Sequence, residues 1–366
     1  MANNDVRPTK FAIVGSGWRA QFMLRIAQMS QGRLIPTAVL VRSDEKESQL
    51  NRWGVPLVRS IEQVAGAAPD FVVVAVDWPG MPGVTETLVE LGIPVLSETP
   101  PAPDLRGLRD LWQTVGSSGL VHVAEQYLLM PGHAARLAAV KRGLIGVVTS
   151  VEIASTHMYH AVAMIRGFLG DRFGCSNVIG HRVSAQLVDP INFEGWRQHP
   201  QPEARSTTYG ILDFPNGVGI YNFVENQWWN PLRTRRLVIR GTHGEIADDT
   251  ITRWNGNDVV TSCLSYRRTG VDMNLEGNEL QHISLDGEVL WCNQWFGGRM
   301  SEDDLAVAEI LKQMGEYVHG DGPAPYSLAD ACQDHAIALA IERAADQGTP
   351  QRLNKEYWAH SPVLNN

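Results

Sequence analysis

The sequence predicts an N-terminal α/β domain with a doubly wound parallel sheet, followed by an α+β domain with a large, mostly antiparallel open sheet. Three observations lead to this prediction. The chain has 366 residues, about twice the length of an ordinary domain. Its first third alternates short β-branched runs with helical patterns, as parallel sheets require. Beyond residue 125 the pattern changes to long segments in which polar and apolar residues alternate. We therefore place the domains at residues 1–124 and 125–366.

Composition and charge exclude several classes of protein. Hydrophobic residues make up 44% of the chain and charged residues 19%, which allows a sizeable core and excludes wholesale disorder. The net charge of −9 argues against nucleic acid or an anionic membrane as the main partner. The four cysteines are scattered, as expected for free thiols in a reducing compartment. With no signal-like segment and no long apolar run, we expect a cytoplasmic protein.

The N-terminal elements follow one another in regular order. Residues 10–14 form the first predicted strand, which leads through a glycine turn into a helix. Further strands are predicted at 37–41, 71–76, 95–96 and 121–124, and a helix at about 105–115. The run 71–76 is apolar throughout, as in a strand that is buried on both faces. This order predicts βαβ units.

The C-terminal elements indicate an antiparallel sheet covered by helices. Strands are predicted at 147–154, 182–188, 207–214, 217–224 and 235–240. Helices are predicted at about 132–142, 302–317 and 328–347, with one more after residue 154. The pair Asn216-Gly217 between two alternating segments predicts a β-hairpin.

A glycine-rich turn after the first strand predicts dinucleotide binding. The run from Gly15 to Ala20 reads Gly-Ser-Gly-Trp-Arg-Ala and fits the pattern G-x-G-x-x-G/A between a strand and a helix. The glycines allow a tight turn and the approach of a pyrophosphate to backbone N–H groups, and the helix N-terminus favours the anion. We therefore predict cofactor contacts from Gly15, Ser16, Gly17, Trp18 and Arg19. A purely structural glycine turn is the alternative.

The end of the second strand bears on the choice of cofactor. An acidic residue that would hold the adenosine ribose is expected there, but the chain has Arg42 and Ser43, with Asp44 slightly late. Arg42 could accept a 2′-phosphate, stack on adenine or remain a solvated loop charge. Both NAD and NADP therefore stay open at this point.

Three segments resemble the glucose–fructose oxidoreductase / inositol dehydrogenase / MocA family. Residues 91–100 read Leu-Gly-Ile-Pro-Val-Leu-Ser-Glu-Thr-Pro and resemble the family's G-K-H-V-L-x-E-K-P segment. Residues 145–152 resemble the start of its second domain, and residues 327–348 its closing helix. The resemblance implies a Rossmann domain with a nicotinamide cofactor. By this resemblance the cofactor is lined by Gly15, Gly17, Trp18, Asp77, Trp78, Glu98 and Gln126.

The chain departs from this family at two positions that carry chemistry. Thr99 stands where the family's dehydrogenases have the lysine of E-K-P, which helps to move the proton, and a hydroxyl cannot take that role. The family's D-x-x-x-H motif is represented by residues 156–160, where His160 matches the histidine and Thr156 replaces the aspartate. The family's NAD-dependent glycosidases also lack the lysine, and residues 98–102 resemble their E-x-P-A segment.

Two histidines are the main candidates for catalysis. With Ser155 or Thr156 as N-cap of the following helix, His157 and His160 lie at positions i and i+3 of its first turn. The positive end of the helix keeps an imidazole neutral and able to act as a base. We predict His157, His160 and Tyr159 as catalytic residues. A histidine pair that binds a metal, or purely structural histidines, are the alternatives; we expect no metal.

Several polar and aromatic residues are predicted to contact the substrate. Glu125 and Tyr127 follow the last parallel strand, Arg166 interrupts an apolar helix, and Trp228 lies near a group of arginines. Trp228 could also belong to the core or to a subunit interface. An arginine set in an acidic protein predicts an anionic group on the substrate, and it comprises Arg166, Arg182, Arg197 and Arg233 to Arg236. By resemblance only, we expect a homo-oligomer.

These observations lead to three functional hypotheses. The first is an NAD-dependent glycoside hydrolase that oxidises the sugar transiently at C3, eliminates the aglycone, adds water and reduces the sugar again, acting on an anionic glycoside such as a sulfonated or uronic one. The second is an NAD(P)-dependent sugar dehydrogenase that releases a 3-keto sugar. The third is a non-catalytic sensor of NAD and sugar. A cofactor that is regenerated in each cycle can stay bound, which favours NAD.

Overall fold

The computed structural model describes residues 7–271, 273–274 and 277–360. Within these ranges the N-terminal part of the chain forms one parallel sheet, and the remainder forms one large mixed sheet and two small sheets of two and three strands. The predicted fold class is confirmed. No helix in the described ranges is long and apolar enough to cross a membrane.

Six parallel strands form the N-terminal sheet in the order β3-β2-β1-β4-β5-β6. Their bounds are β1 (Thr9–Val14), β2 (Leu34–Leu40), β3 (Leu57–Val58), β4 (Phe71–Val74), β5 (Val95–Ser97) and β6 (Val121–Val123). The strand order reverses between β1 and β4, and ligands of such sheets bind at the carboxyl ends of the strands at this reversal. Every residue of β4 is fully buried, which agrees with its apolar sequence.

Five helices cover this sheet. They are α1 (Trp18–Met29), α2 (Asp44–Leu50), α3 (Ile61–Gly66), α4 (Met81–Glu90) and α5 (Leu105–Val115). The predicted bounds of α5 are confirmed, and its start is fixed by the side chain of Asp104, which accepts a hydrogen bond from the backbone N–H of Gly107. The short elements α2, β3 and α3 were not predicted.

The second part of the chain is built around a nine-stranded sheet. Its elements are α6 (Pro131–Lys141), β7 (Val148–Ala154), α7 (Met158–Leu169), β8 (Asn177–Val188), β9 (Ile191–Asn192), β10 (Gly195–Trp196), β11 (Pro202–Phe214), β12 (Gly217–Val224), β13 (Arg236–Gly241), β14 (Gly244–Ala247), β15 (Thr250–Trp254), β16 (Val259–Cys263), β17 (Ser265–Thr269), β18 (Glu279–Leu285), β19 (Glu288–Cys292), α8 (Glu302–His319), α9 (Leu328–Gln347) and β20 (Gln351–Arg352). The order in the sheet is β16-β15-β14-β13-β7-β12-β11-β8-β20. Of its described pairs, only β7 with β12 is parallel.

The predicted hairpin is present, but its turn differs from the prediction. Strands β11 and β12 are joined by Pro215 and Asn216, and Phe214 pairs directly with Gly217. Gly217 is therefore the first residue of β12 and not a central turn residue. A side chain has no room at this position, because a Cβ at Gly217 would lie 2.7 Å from the carbonyl oxygen of Thr149 in β7.

Two helices cover one face of the large sheet and leave the other face open. Helices α7 and α9 contact β12 and β8 on the covered face. The open face carries apolar side chains that are 40 to 43% exposed, namely Ile179, Val183, Tyr209 and Ile211. Because side chains of a strand alternate between faces, these residues point away from the two helices.

Helix α8 belongs to a different core. Its residues Leu305, Leu311 and Met314 lie in one buried cluster with Phe11 and Ile13 of β1. The chain therefore returns to the N-terminal sheet after it has completed the large sheet. The two parts of the chain therefore share this core.

We expect Gly217→Ala to destabilise the protein by about 1–3 kcal/mol, since the new methyl group overlaps a backbone atom of β7. Gly83→Ala in α4 is the matched control, because a Cβ there meets no atom within 4 Å. The control should be neutral or stabilising by about 0.5–1 kcal/mol. Urea unfolding of both variants measures the difference, and equal midpoints would contradict this account of β12.

Candidate active site

One cavity of about 1120 Å³ lies at the carboxyl ends of the parallel strands and extends to α7. Residues that follow β1, β2, β4, β5 and β6 line one part of it. The first turn of α7 and the segment before β13 line the other part. The cavity therefore combines the ligand-binding edge of the parallel sheet with side chains from the second part of the chain.

The glycine turn has the geometry of an anion site. Gly15 has a φ of +137°, and a Cβ there would lie 2.2 Å from the carbonyl oxygen of Ala75. Gly17 precedes α1, caps it with no side-chain hydrogen bond and leaves open space around its Cα. No acidic residue occupies the first turn of α1. The free N–H groups of this helix end can therefore donate hydrogen bonds to a pyrophosphate, as a dinucleotide requires.

Side chains on both sides of this turn complete the cofactor part of the cavity. The indoles of Trp18 and Trp78 are 69% and 47% exposed and line the cavity together with Ser16 and Asp77. Such exposure of large apolar side chains is typical of a binding surface. The predicted cofactor residues are thus brought together, except Ser43.

A buried ion pair crosses the cofactor part of the cavity. Arg19 Nε donates to Glu98 Oε1 at 2.6 Å, and Arg19 Nη2 donates to Gln126 Oε1 at 3.4 Å. Burial lowers the pKa of Arg19, but the charge of Glu98 outweighs this and raises it. The pair orients three predicted cofactor residues without leaving a net charge.

The end of the cavity that follows β2, where the adenosine ribose of a dinucleotide is expected, carries positive charge. Arg42 and Lys46 line it, whereas Ser43 caps α2 by accepting a hydrogen bond from the Lys46 backbone N–H. The nearby carboxylate of Asp44 is bonded to Arg59 at 2.6 Å. The acid that such sites use for the ribose is therefore replaced by two cations.

The central feature of the second part is a histidine–carboxylate pair. His160 Nδ1 lies 2.5 Å from Glu125 Oε2, and both side chains are buried. The backbone N–H of Tyr127 donates to the other oxygen of Glu125 at 3.1 Å. The ring of Tyr127 packs on His160 with the ring centroids 4.5 Å apart. Because Glu125 is hydrogen-bonded to Nδ1 of His160, Nε2 of the same ring is left to bind a ligand.

This pair explains one departure from the family motif. Thr156 replaces the aspartate of D-x-x-x-H in the sequence, but Glu125 supplies a carboxylate to the same histidine from the end of β6. The sequence prediction placed Glu125 in contact with the substrate. In the structure its two oxygens contact His160 and the Tyr127 backbone.

His157 is a second, neutral imidazole beside the first. Burial and the neighbouring His160 lower the pKa of His157 to about 3. Its ring lies 5.2 Å from that of His160 and 4.4 Å from the indole of Trp228, measured between centroids. Its Nδ1 is buried and has no hydrogen-bond partner in the described part of the chain. A ligand in the cavity could provide that partner.

Tyr159 supplies a hydroxyl that remains protonated. Its Oη donates to the carbonyl oxygen of Thr99 at 3.5 Å. Burial raises the pKa of Tyr159 well above its usual value. At neutral pH this side chain is therefore a hydrogen-bond donor and not a base.

The start of α7 lies later than predicted. His157, and not Ser155 or Thr156, is the N-cap, and the helix begins at Met158. Met158 has a φ of +44°, which is strained for a bulky residue, and its N–H donates to Tyr221 Oη at 3.3 Å.

The predicted arginines are mostly engaged elsewhere. Arg166 is buried between α7 and α9, where it binds Asp334 and Asp330, and it does not line the cavity. Arg182 binds Glu342 and Asp346, and Arg197 binds Glu203. A charge in an apolar helix predicts a partner, but the sequence does not show whether that partner is a substrate or a buried carboxylate.

Several lining residues were not assigned to the site from sequence. They include Lys46, Met130, His133, Ser155, Phe193 and Asp303. Phe193 and Trp229 contact each other edge to face with centroids 5.7 Å apart. These residues come from separate elements, and no local pattern brings them together.

Comparisons with known proteins agree with this geometry. Residues 9–126 match the family described as "Oxidoreductase family, NAD-binding Rossmann fold", GFO_IDH_MocA. No curated protein matches the sequence significantly. Many solved structures are similar, among them an oxidoreductase from Agrobacterium radiobacter in complex with NAD+, L-tartaric acid and magnesium. It is 16% identical, with a TM-score of 0.68, over 94% of this chain and 98% of that one.

Two further structures show the same likeness. An NAD-binding oxidoreductase from Klebsiella pneumoniae is 14% identical with a TM-score of 0.68, over 95% of this chain and 100% of that one. Levoglucosan dehydrogenase, in complex with NADH and levoglucosan, is 15% identical with a TM-score of 0.67, over the same shares. At these identities the likeness concerns the fold alone. The family match covers residues 9–126 and shows an NAD-binding Rossmann domain of the GFO/IDH/MocA type in that part of the chain.

Proposed function

We propose that the protein is an NAD-dependent oxidoreductase that oxidises a secondary alcohol of a sugar or polyol. The observation that carries this proposal is the buried pair of Glu125 and His160, 2.5 Å apart at the wall of the cavity. An imidazole whose Nδ1 is held by a carboxylate is oriented to take a proton through Nε2. The family whose model matches residues 9–126 consists of oxidoreductases that bind NAD through a Rossmann fold.

The cofactor fits the part of the cavity formed by the parallel sheet. We assign the pyrophosphate to the N-terminus of α1 at Gly15 and Gly17, and the far end of the dinucleotide to Arg42 and Lys46. When bound, NAD supplies the acceptor for the hydride that leaves the substrate carbon. The positive ribose end would also accommodate a 2′-phosphate.

The protein's own residues move the proton. His160 takes the hydroxyl proton as the carbon is oxidised, and Glu125 stabilises the resulting imidazolium. Tyr159 donates a hydrogen bond from the same wall of the cavity. Thr99 stands where the family has its lysine, and its carbonyl oxygen orients Tyr159. In this protein His160 is therefore the base.

The substrate part of the cavity fits a polyhydroxylated ring. Ser155 Oγ and His157 Nδ1 are buried without hydrogen-bond partners among the described residues, and both residues line the cavity. Hydroxyl groups of a substrate can satisfy them. The indoles of Trp228 and Trp229 offer apolar faces beside these polar groups. Levoglucosan, bound by one similar structure, is an anhydrosugar of this kind.

A second candidate function is redox-neutral cleavage of a glycoside. The observation that favours it is His157, a second neutral imidazole 5.2 Å from His160. After oxidation at C3, a base in this position can take the acidified C2 proton, the aglycone leaves from C1, and water adds to the resulting double bond. Reduction at C3 then completes a net hydrolysis. No observation favours the sensor hypothesis.

We expect Glu125→Gln to lower kcat by about 10²- to 10⁴-fold, because the amide cannot stabilise a protonated His160. The dissociation constant of NAD, measured by the quenching of tryptophan fluorescence, should change by no more than about threefold. Glu90→Gln on the exposed end of α4 is the matched control and should leave both quantities unchanged. A Glu125→Gln variant with nearly normal kcat would refute the proposed base.

Deuterium oxide distinguishes the two candidate functions. With aryl glycosides and catalytic amounts of NAD, glycoside cleavage should place deuterium at C2 of the released sugar without net formation of reduced cofactor. His157→Gln should suppress this exchange. Reduced cofactor that accumulates while the glycosidic bond stays intact would eliminate the second candidate and support the first.

We also propose that the open sheet face pairs with a second copy of this chain. Ile179 and Ile211 are direct partners across β8 and β11, and both are 43% exposed. A charge on each should disrupt an apolar interface. Light scattering should give a multiple of the mass of one chain for the native protein. The double variant Ile179→Glu, Ile211→Glu should have the mass of one chain. Val259→Glu on the edge strand β16 is the control, and a native protein of single mass would refute the proposal.

A further inference from the structure

Many arginines of the second part of the chain have a carboxylate partner. Examples are Arg166, Arg182, Arg197, Arg205, Arg240 and Arg253. Arg235 differs, because it lines the cavity and forms no ion pair with any described residue. Of the described lining residues beyond 126, it is the one with a permanent positive charge.

Arg235 is nevertheless held in place. Its Nη2 donates to the backbone carbonyl oxygen of Trp228 at 2.9 Å. The indole of Trp228 packs on His157 at the wall of the site. One end of the guanidinium is thus fixed beside the substrate part of the cavity, and its other N–H groups remain available.

The charge of Arg235 also acts close to the catalytic pair. Burial raises the pKa of the Tyr127 hydroxyl, and the positive charge of Arg235 opposes that rise. The ring of Tyr127 packs directly on His160. A group bound by Arg235 therefore lies on the same side of the cavity as the base.

We propose that Arg235 binds a carboxylate of the substrate, so that the protein acts on a sugar acid whose alcohol is presented to His160. This inference rests on the proposed function and names the substrate class for the same site. A guanidinium offers two parallel donors that match the two oxygens of a carboxylate. Asp303 lines the same cavity, but no ion pair joins it to Arg235 among the described residues.

Matched pairs of ligands test this proposal. Binding of D-glucuronate and D-glucose, and of D-gluconate and sorbitol, is measured on the NAD-loaded protein by calorimetry and by tryptophan fluorescence. Each acid should bind at least about tenfold more tightly than its neutral partner. Arg235→Gln should weaken binding of the acids by about 10- to 100-fold and leave the neutral ligands unchanged. Arg235→Lys should restore only part of the affinity.

The control variant is Arg267→Gln, which removes an exposed arginine of β17 that lines no part of the cavity. It should leave all four affinities unchanged. If neither acid binds more tightly than its neutral partner, or if Arg235→Gln weakens acids and neutral ligands alike, the proposal is wrong. Selective binding of acids that persists without formation of reduced cofactor would support the Arg235 site and count against the oxidoreductase function instead.

Discussion

The hydrogen bond between Glu125 and His160 ties the end of the last parallel strand to helix α7 at the wall of the candidate active site. Glu125 follows the last parallel strand, and His160 lies in the first turn of the helix that covers the large sheet. Because both groups are buried, removing either partner leaves a polar group without compensation. The position of α7 relative to the nucleotide-binding edge is thereby fixed. The packing of Tyr127 on His160 and the contact of Tyr159 with Thr99 depend on this same alignment.

Much of the fold could be predicted from the sequence because its signals are local. The run Phe71–Val74 is apolar on both faces, and the helix Leu105–Val115 has its cap in the preceding aspartate. The two-residue strand Leu57–Val58 and its flanking short helices carry too few residues for a periodic pattern. The hairpin was predicted, but the role of Gly217 depends on the approach of Thr149, which only the assembled sheet shows.

The residues of the site could likewise be predicted only where their sequence signal is local. The glycine turn is contiguous in sequence, so its residues could be named in advance. The partnership of Glu125 with His160 spans 35 residues, and no local side-chain pattern indicates it. Arg166 and Arg235 look equivalent in the sequence, since both are cations near apolar residues. Only the packing of α9 shows that Arg166 already has carboxylate partners.

The late return of the chain to its first sheet has a consequence for folding during synthesis. Helix α8 fills one face of the parallel sheet with Leu305, Leu311 and Met314, which leave the ribosome long after β6. Until then the apolar strands around Phe11 are covered on that side by α1, whose Met23, Leu24 and Ile26 lie in the same cluster, but not by α8. A nascent chain in this state exposes apolar surface that favours aggregation. The core of the nucleotide-binding half, although first in sequence, is therefore completed only after most of the polypeptide has been made.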